Sequence, residues 1–237
     1  MNADTIVAVC CYAGDAALVQ RAMPTHFAHG CPIVVLSPAD SPVIASHAQC
    51  FSAGKRAYIG AESWTRQHEH LKILLSFPQK YFLIHDADSL CVSAEIPKEV
   101  YEEGTIWAGV IPESRPHTSP YPKLALHPPY FLTRDSIQRM LQASSRVPVH
   151  PITPFIDFAM LAWACEAGLK IKAHTDLEQK SEYVFRPSTD DPNIWPWQQL
   201  DYRIRYQGMT MIHPIKTPEH LELCVEARKF YESGRVS

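Results

Sequence analysis

The chain has no run approaching 18 apolar residues, so nothing in it reads as a membrane-spanning helix. Its start, Met1-Asn2-Ala3-Asp4, leads straight into a strand-like stretch and lacks the basic region and apolar core of a signal peptide. None of the seven cysteines forms a CxxC pair with zinc spacing, and the odd, scattered set offers no disulfide framework. Cys10 and Cys11 fall in an apolar strand and Cys165 in an apolar helix, which points to reduced, mostly buried thiols and a cytoplasmic location. Charge of one sign is also scarce. With 22 Lys and Arg against 25 Asp and Glu, the net charge of −3 gives no general pull toward nucleic acid or anionic membrane. Gly14 and Gly30 belong to no GxGxxG or phosphate-loop pattern, and no Gly-x-Ser-x-Gly occurs. HExxH is missing too, and His68-Glu69-His70 sets its two histidines on different sides of a helix. There is no internal repeat and no low-complexity linker. The 237 residues suit one large domain, or one domain with an appended lobe. A chain of this length buries roughly 70–75 % of its unfolded surface and needs no disulfide staples.

What is present centres on Tyr81-Phe82-Leu83-Ile84-His85-Asp86-Ala87-Asp88-Ser89. Tyr81 to Ile84 read as a short buried strand, since aromatic and β-branched residues fill a run too short for a helix. Two aspartates follow, one residue apart. Extended residues at i and i+2 point to the same side, so Asp86 and Asp88 aim two carboxylates at one place beyond the strand's carboxyl end. Oxygen ligands so arranged suit a divalent cation, although Asp-Ala-Asp-Ser also makes an ordinary polar turn.

The surroundings favour a site. Ile6 to Cys11 is an apolar strand ending at Tyr12-Ala13-Gly14-Asp15, and Ala16 to Met23 is a helical pattern. Pro32 to Leu36 is a second strand, ending before Asp40. Ala61 to Phe77 reads as a helix with Trp64, His68, Leu71, Leu74 and Leu75 near one face. This alternation predicts a parallel sheet covered by helices, with ligands at the carboxyl ends of the strands. Tyr12, Asp15, Asp40, Asp86 and Asp88 all stand at or just past such ends. In the second half, Thr105 to Val110 and Tyr130 to Thr133 read as strands and Arg134 to Ala143 as a helix. Pro112 to Pro129 holds six prolines without periodicity, which predicts a long ordered loop. Thr153 is a good N-cap before Pro154, predicting a helix to Ala167 that stops at Gly168. A last helix is expected over Pro218 to Ser233, before Gly234.

In this order the features resemble those of GT-A glycosyltransferases, which move a sugar from a nucleoside diphosphate onto an acceptor. The resemblance rests on the N-terminal α/β half, Asp86-Ala87-Asp88, the segment Pro129 to Asp135, the helix with Asp157 near its start, and His213-Pro214-Ile215-Lys216. It implies an α/β, Rossmann-related single domain, with a mixed but mainly parallel central sheet flanked by helices. Residues 1–90 would bind the nucleotide sugar and 91–237 the acceptor. It further implies Mn2+ or Mg2+ as cofactor, held by Asp86, Asp88 and His213. Tyr12 would stack on the base, Asp40 would bond base or ribose, Asp86 would reach ribose or metal-bound water, and Lys216 would contact the phosphates. A cation from the helix before Asp86 would meet the diphosphate. Arg66 and Lys72 do not share one helix face, and Arg66 better suits bidentate phosphate contact.

Asp157 resembles the general base of inverting members, with Ile156 standing where the family usually carries an acidic residue. Trp195 and Trp197 are placed to stack on a sugar or another ring-shaped acceptor. That acceptor is a glycan or another hydroxyl-bearing molecule, with a modified nucleic-acid base also open. Two other enzyme classes use similar parts. A haloacid-dehalogenase-like phosphatase would make Asp86 a nucleophile and Asp190-Asp191 its metal pair. A nucleotidyltransferase would want a basic loop after the first strand, where Tyr12 to Ala17 has no cation. A non-catalytic carbohydrate-binding relative is the remaining alternative.

Overall fold

The computed structural model describes residues 4–26, 30–57, 59–91, 96, 98–112, 120–122, 124–148, 156–173, 184–185, 211–212 and 222. The buried apolar runs of the first half form strands, as their patterning predicts: β1 (Thr5–Cys10), β2 (Ile33–Ser37) and β4 (Tyr81–Asp86). Between them lie α1 (Ala16–His26), the short strand β3 (Gln49–Ser52) and α2 (Gly60–Leu75). A two-residue strand, β5 (Leu90–Cys91), follows β4. Then come β6 (Thr105–Pro112), β7 (Leu124–Thr133), α3 (Arg134–Ser144), α4 (Ile156–Glu166) and β8 (Lys170–Ala173). Two further short strands are β9 (Val184–Phe185) and β10 (Met211–Ile212).

Seven strands make one mixed sheet in the order β3-β2-β1-β4-β7-β6-β8, while β5, β10 and β9 make a small second sheet. All neighbours in the large sheet are parallel except β7, which runs against both β4 and β6. The fold is therefore α/β and compatible with a Rossmann-like arrangement. Each face of the sheet has its own core. On one, Ile6, Phe82, Ile84 and Leu132 pack with Leu71 of α2, Met140 of α3 and Met160 of α4. On the other, Val7, Val9, Leu83 and Phe131 pack with Val19 and Met23 of α1 and with Val100. The two halves assigned from sequence contribute strands to the same sheet.

Chain order sets where a ligand belongs. From β1 the chain steps outward through β2 to β3, then returns through α2 to β4 on the other side of β1. The strand order reverses between β1 and β4, and the crevice beyond the carboxyl ends of strands at such a point is where open α/β sheets bind ligands.

The expected loop over 112–129 is corrected. Strand β6 runs to Pro112 and β7 starts at Leu124, so Tyr130 to Thr133 is only the end of a ten-residue strand. Pro128 and Pro129 sit inside it because the β6–β7 register shifts there: Trp107 pairs with Phe131, but Gly109 pairs with His127. At such an irregularity the missing N–H groups interrupt no regular ladder. Strands β3 and β8 were not expected. Both are short strands at the edges of the sheet. Helix α4 begins at Ile156; Thr153 and Pro154 lie outside the described residues, as does most of the expected helix over Pro218 to Ser233. Gly168 ends α4 with φ +65, as its position predicts.

Arg134 ties the second half onto the first. Its guanidinium donates to the carbonyls of Leu75, Phe77 and Gln79, the first two in the last turn of α2 and just beyond it. Cys10, Cys11, Cys31, Cys50 and Cys165 are free thiols. Among the described residues, no helix is long and apolar enough to cross a membrane.

Candidate functional site

The segment Asp86-Ala87-Asp88 is fixed by its backbone. Cys10 and Asp86 are register partners in β1 and β4. One residue on, the Ala87 N–H donates to the Cys10 carbonyl (3.0 Å), and the Ser89 N–H donates back to the Asp86 carbonyl (3.2 Å). This turn stops the strand at the sheet mouth. There Asp86 is exposed and Asp88 half-buried, with one of its carboxylate oxygens out of contact with solvent. His85, which points to the other face, is fully buried.

A cavity of about 520 Å3 opens at this place. Its wall takes Tyr12 and Asp15 from the end of β1, Arg56 from beyond β3, Arg66 and His70 from α2, and Asp86 and Asp88 from β4. Across β4, β7 contributes Pro128 and Tyr130, and α4 contributes Ile156 and Asp157. Five residues selected from sequence, Tyr12, Arg66, Asp86, Asp88 and Asp157, are thus brought to one space. The other cation weighed on α2 is elsewhere: Lys72 pairs with Glu69 at 3.0 Å on an exposed face.

Tyr12 stands in extended conformation just after β1 and closes a capping box, its N–H donating to Asp15 Oδ2 (3.1 Å). The Arg56 guanidinium lies 4.0 Å from the centre of the Tyr12 ring, a cation–π contact. Asp40 does not line the cavity. Its Oδ1 instead accepts the Arg56 backbone N–H (2.7 Å), so it fixes the loop that presents Arg56 to Tyr12.

The same loop touches α2 closely. Gly54 has φ +67, and a Cβ there would meet Arg66 Cα and Cβ at 2.8 Å. Gly54→Ala is therefore expected to lower stability by about 1–2 kcal/mol from the left-handed backbone alone, and to displace Arg66. The urea midpoint checks the first effect, and a shifted Arg66 side chain in a crystal structure of the variant checks the second.

Electrostatics divide the lining groups. Burial pushes the Asp15 carboxyl up, partly offset by the Tyr12 N–H; Asp88 raises it further and Arg56 lowers it. Burial also pushes the Cys10 thiol up, helped by Asp86, and takes Cys11 up to about 12. Both thiols stay protonated and poorly nucleophilic at neutral pH. Tyr130 is held well above the ordinary tyrosine value by burial and by Asp157, so its hydroxyl keeps its proton. It donates to the Leu126 carbonyl (2.7 Å) and lies 3.3 Å from Asp157 Oδ1.

His70 is 3 % exposed, and its Nε2 faces the Ser37 carbonyl at 3.3 Å. Burial lowers its pKa from 6.5 to about 4. The folded ring is then neutral in a range where the unfolded ring binds a proton. Stability should accordingly fall as pH drops from 6.5 toward 4, by a total on the order of 3 kcal/mol. Urea midpoints at pH 7.5 and 5 test this; His70→Gln should show a shallower pH dependence, and an unchanged slope would contradict the assignment.

With His70 neutral, Asp15, Asp86, Asp88 and Asp157 set four carboxylates against the guanidinium groups of Arg56 and Arg66. Among the described lining residues, carboxylates therefore outnumber guanidinium groups. Among the described residues no group of three His, Cys, Asp or Glu side chains is arranged to hold a metal ion. His213, Lys216, Trp195, Trp197 and the Asp190-Asp191 pair lie outside the described residues.

Sequence reasoning missed Arg56, His70, His127 and Tyr130. Arg56 stands beyond the carboxyl end of β3, a strand too short and polar to read. His127 was hidden in the expected proline loop, and Tyr130 read only as strand core.

No family model matches the chain, and no curated protein matches it either.

Proposed function

We propose that the chain is a metal-dependent glycosyltransferase of GT-A type. It would move a sugar from a nucleoside diphosphate sugar to an acceptor hydroxyl with inversion at the anomeric carbon. The observation that carries this reading is one cavity at the β1/β4 switch point lined by Tyr12, Arg66, Asp86, Asp88 and Asp157. Asp86 and Asp88 come from β4. In sheet order, the elements suited to a nucleotide lie on the β1, β2 and β3 side, and Asp157 lies on the β7 side.

The donor set supports a hard divalent ion. Two carboxylates with water and substrate phosphate are a usual environment for Mg2+, and the excess of carboxylates among the described lining residues disfavours a diphosphate without a compensating cation. Asp88 and Asp86 would hold Mn2+ or Mg2+, with His213 as the expected third protein ligand. When bound, the ion supplies charge neutralisation to the leaving diphosphate.

The chain's own residues account for the remaining steps. Tyr12 and Arg56 offer a flat aromatic and guanidinium surface for the base. Arg66 meets the diphosphate as the bond from the anomeric carbon to phosphate oxygen breaks. Asp157 accepts the acceptor's hydroxyl proton as the new carbon–oxygen bond forms on the opposite face. Lys216 is the second expected phosphate contact, and Trp195 and Trp197 the acceptor platform.

A panel of nucleotide sugars tests the proposal by release of nucleoside diphosphate. With Mn2+ and acceptor present, release is expected from a narrow subset of donors and should stop in EDTA. Release from none, or turnover undiminished by EDTA, overturns it.

A further inference from the structure

The carboxylate of Asp157 is approached at both oxygens by residues of β7. Tyr130 Oη lies 3.3 Å from Oδ1, and His127 Nδ1 lies 3.5 Å from Oδ2. Residues three apart on a regular strand face opposite sides. His127 and Tyr130 reach one carboxylate because the β6–β7 register shift falls between His127, paired with Gly109, and Phe131, paired with Trp107. Such irregularities re-aim side chains beside functional sites. Asp157 lines the cavity and His127 does not, so the carboxylate is the group that meets substrate. The His127 and Asp157 side chains are 32 % and 24 % exposed, which leaves room for the ring to be replaced without emptying a core.

We infer that His127 is a positioning residue for Asp157, an assignment that rests on the transfer reaction proposed above. The His127 Nδ1–H fixes Oδ2, while the single Tyr130 hydroxyl proton is shared between the Leu126 carbonyl at 2.7 Å and Oδ1 at 3.3 Å. The carboxylate is thereby held in one orientation, with its remaining lone pairs available to the acceptor hydroxyl. Fixing Nδ1 as the donor also sets the ring's tautomer, leaving the lone pair on Nε2. Hydrogen bonds of this kind are often long before substrate binds and tighten in the reacting complex.

Two readouts test the assignment. In kinetics, His127→Ala should lower kcat by about 100-fold, the scale of a misplaced reacting group, with the donor KM unchanged. His127→Asn, which sets an N–H near the place of Nδ1, should recover most of the loss. Normal turnover in His127→Ala, or no recovery in His127→Asn, overturns the role. In 15N NMR of the imidazole rings, which needs no turnover, the signal lost in His127→Asn should be an Nδ1–H tautomer. It should revert toward Nε2–H in Asp157→Ala; an Nε2–H ring in the unmutated protein overturns the contact itself. The underlying reaction fails differently. Full activity of Asp157→Asn removes the base and with it the role of His127, whereas an inactive Asp157→Asn beside a normal His127→Ala leaves the base and removes only His127.

Discussion

Asp88→Asn should abolish sugar transfer, with a loss on the order of 10³-fold, and leave the fold intact. The backbone of its turn is held by the Ala87 N–H on the Cys10 carbonyl and the Ser89 N–H on the Asp86 carbonyl, neither of which involves the Asp88 side chain. Asn keeps the shape of Asp and removes the charge. The site loses one of the two carboxylates proposed to hold the divalent ion, and the departing diphosphate loses its compensation. The urea midpoint should move by no more than a conservative turn substitution moves it. A near-normal rate in this variant would contradict the metal assignment, and a collapse of the fold would contradict the backbone support of the turn.

Asp157→Asn should lower transfer by about 10²–10⁴-fold, the scale of a lost general base, while donor binding stays close to normal. The reason is position: Asp157 reaches the cavity from α4, beyond β7, and Tyr12 and Arg66 lie toward β1 and β3. Asn still offers an oxygen toward the Tyr130 hydroxyl, so the local packing survives. Single displacement fixes the stereochemistry as well. From an α-linked donor the product should be a β-glycoside by proton NMR. An α-glycoside contradicts inversion, and a β-product from an active Asp157→Asn moves the base to another residue.

Much of the N-terminal half was legible because its signals are local. Strands β1, β2 and β4 are continuous apolar runs, and a polar residue at the end of each marks the sheet mouth. Tyr12, Asp86 and Asp88 follow from that logic. Asp157 was legible as an acidic residue in a helix's first turn. Where reading failed, distance along the chain was the cause. Strand β7 holds two prolines that local rules assign to a loop, yet the bulge against β6 accommodates them. Arg56 has no motif of its own; it reaches Tyr12 only because Asp40 and Gly54 shape the loop after β3. The pairing of His127 with Asp157 spans 30 residues and depends on that same bulge. Such contacts belong to tertiary register, which no window of sequence carries.

The most direct measurement is thermal unfolding of the unmodified protein and of Asp88→Asn, with a panel of nucleoside diphosphates in Mn2+ or in EDTA. Binding to the folded state alone raises Tm by mass action, so at 100 times Kd the gain is about 2.7 kcal/mol. The account predicts a clear rise for at least one nucleoside diphosphate with Mn2+, a much smaller rise in EDTA, and a comparable loss in Asp88→Asn. No rise with any nucleoside diphosphate, or an equal rise in EDTA and in Asp88→Asn, would contradict it.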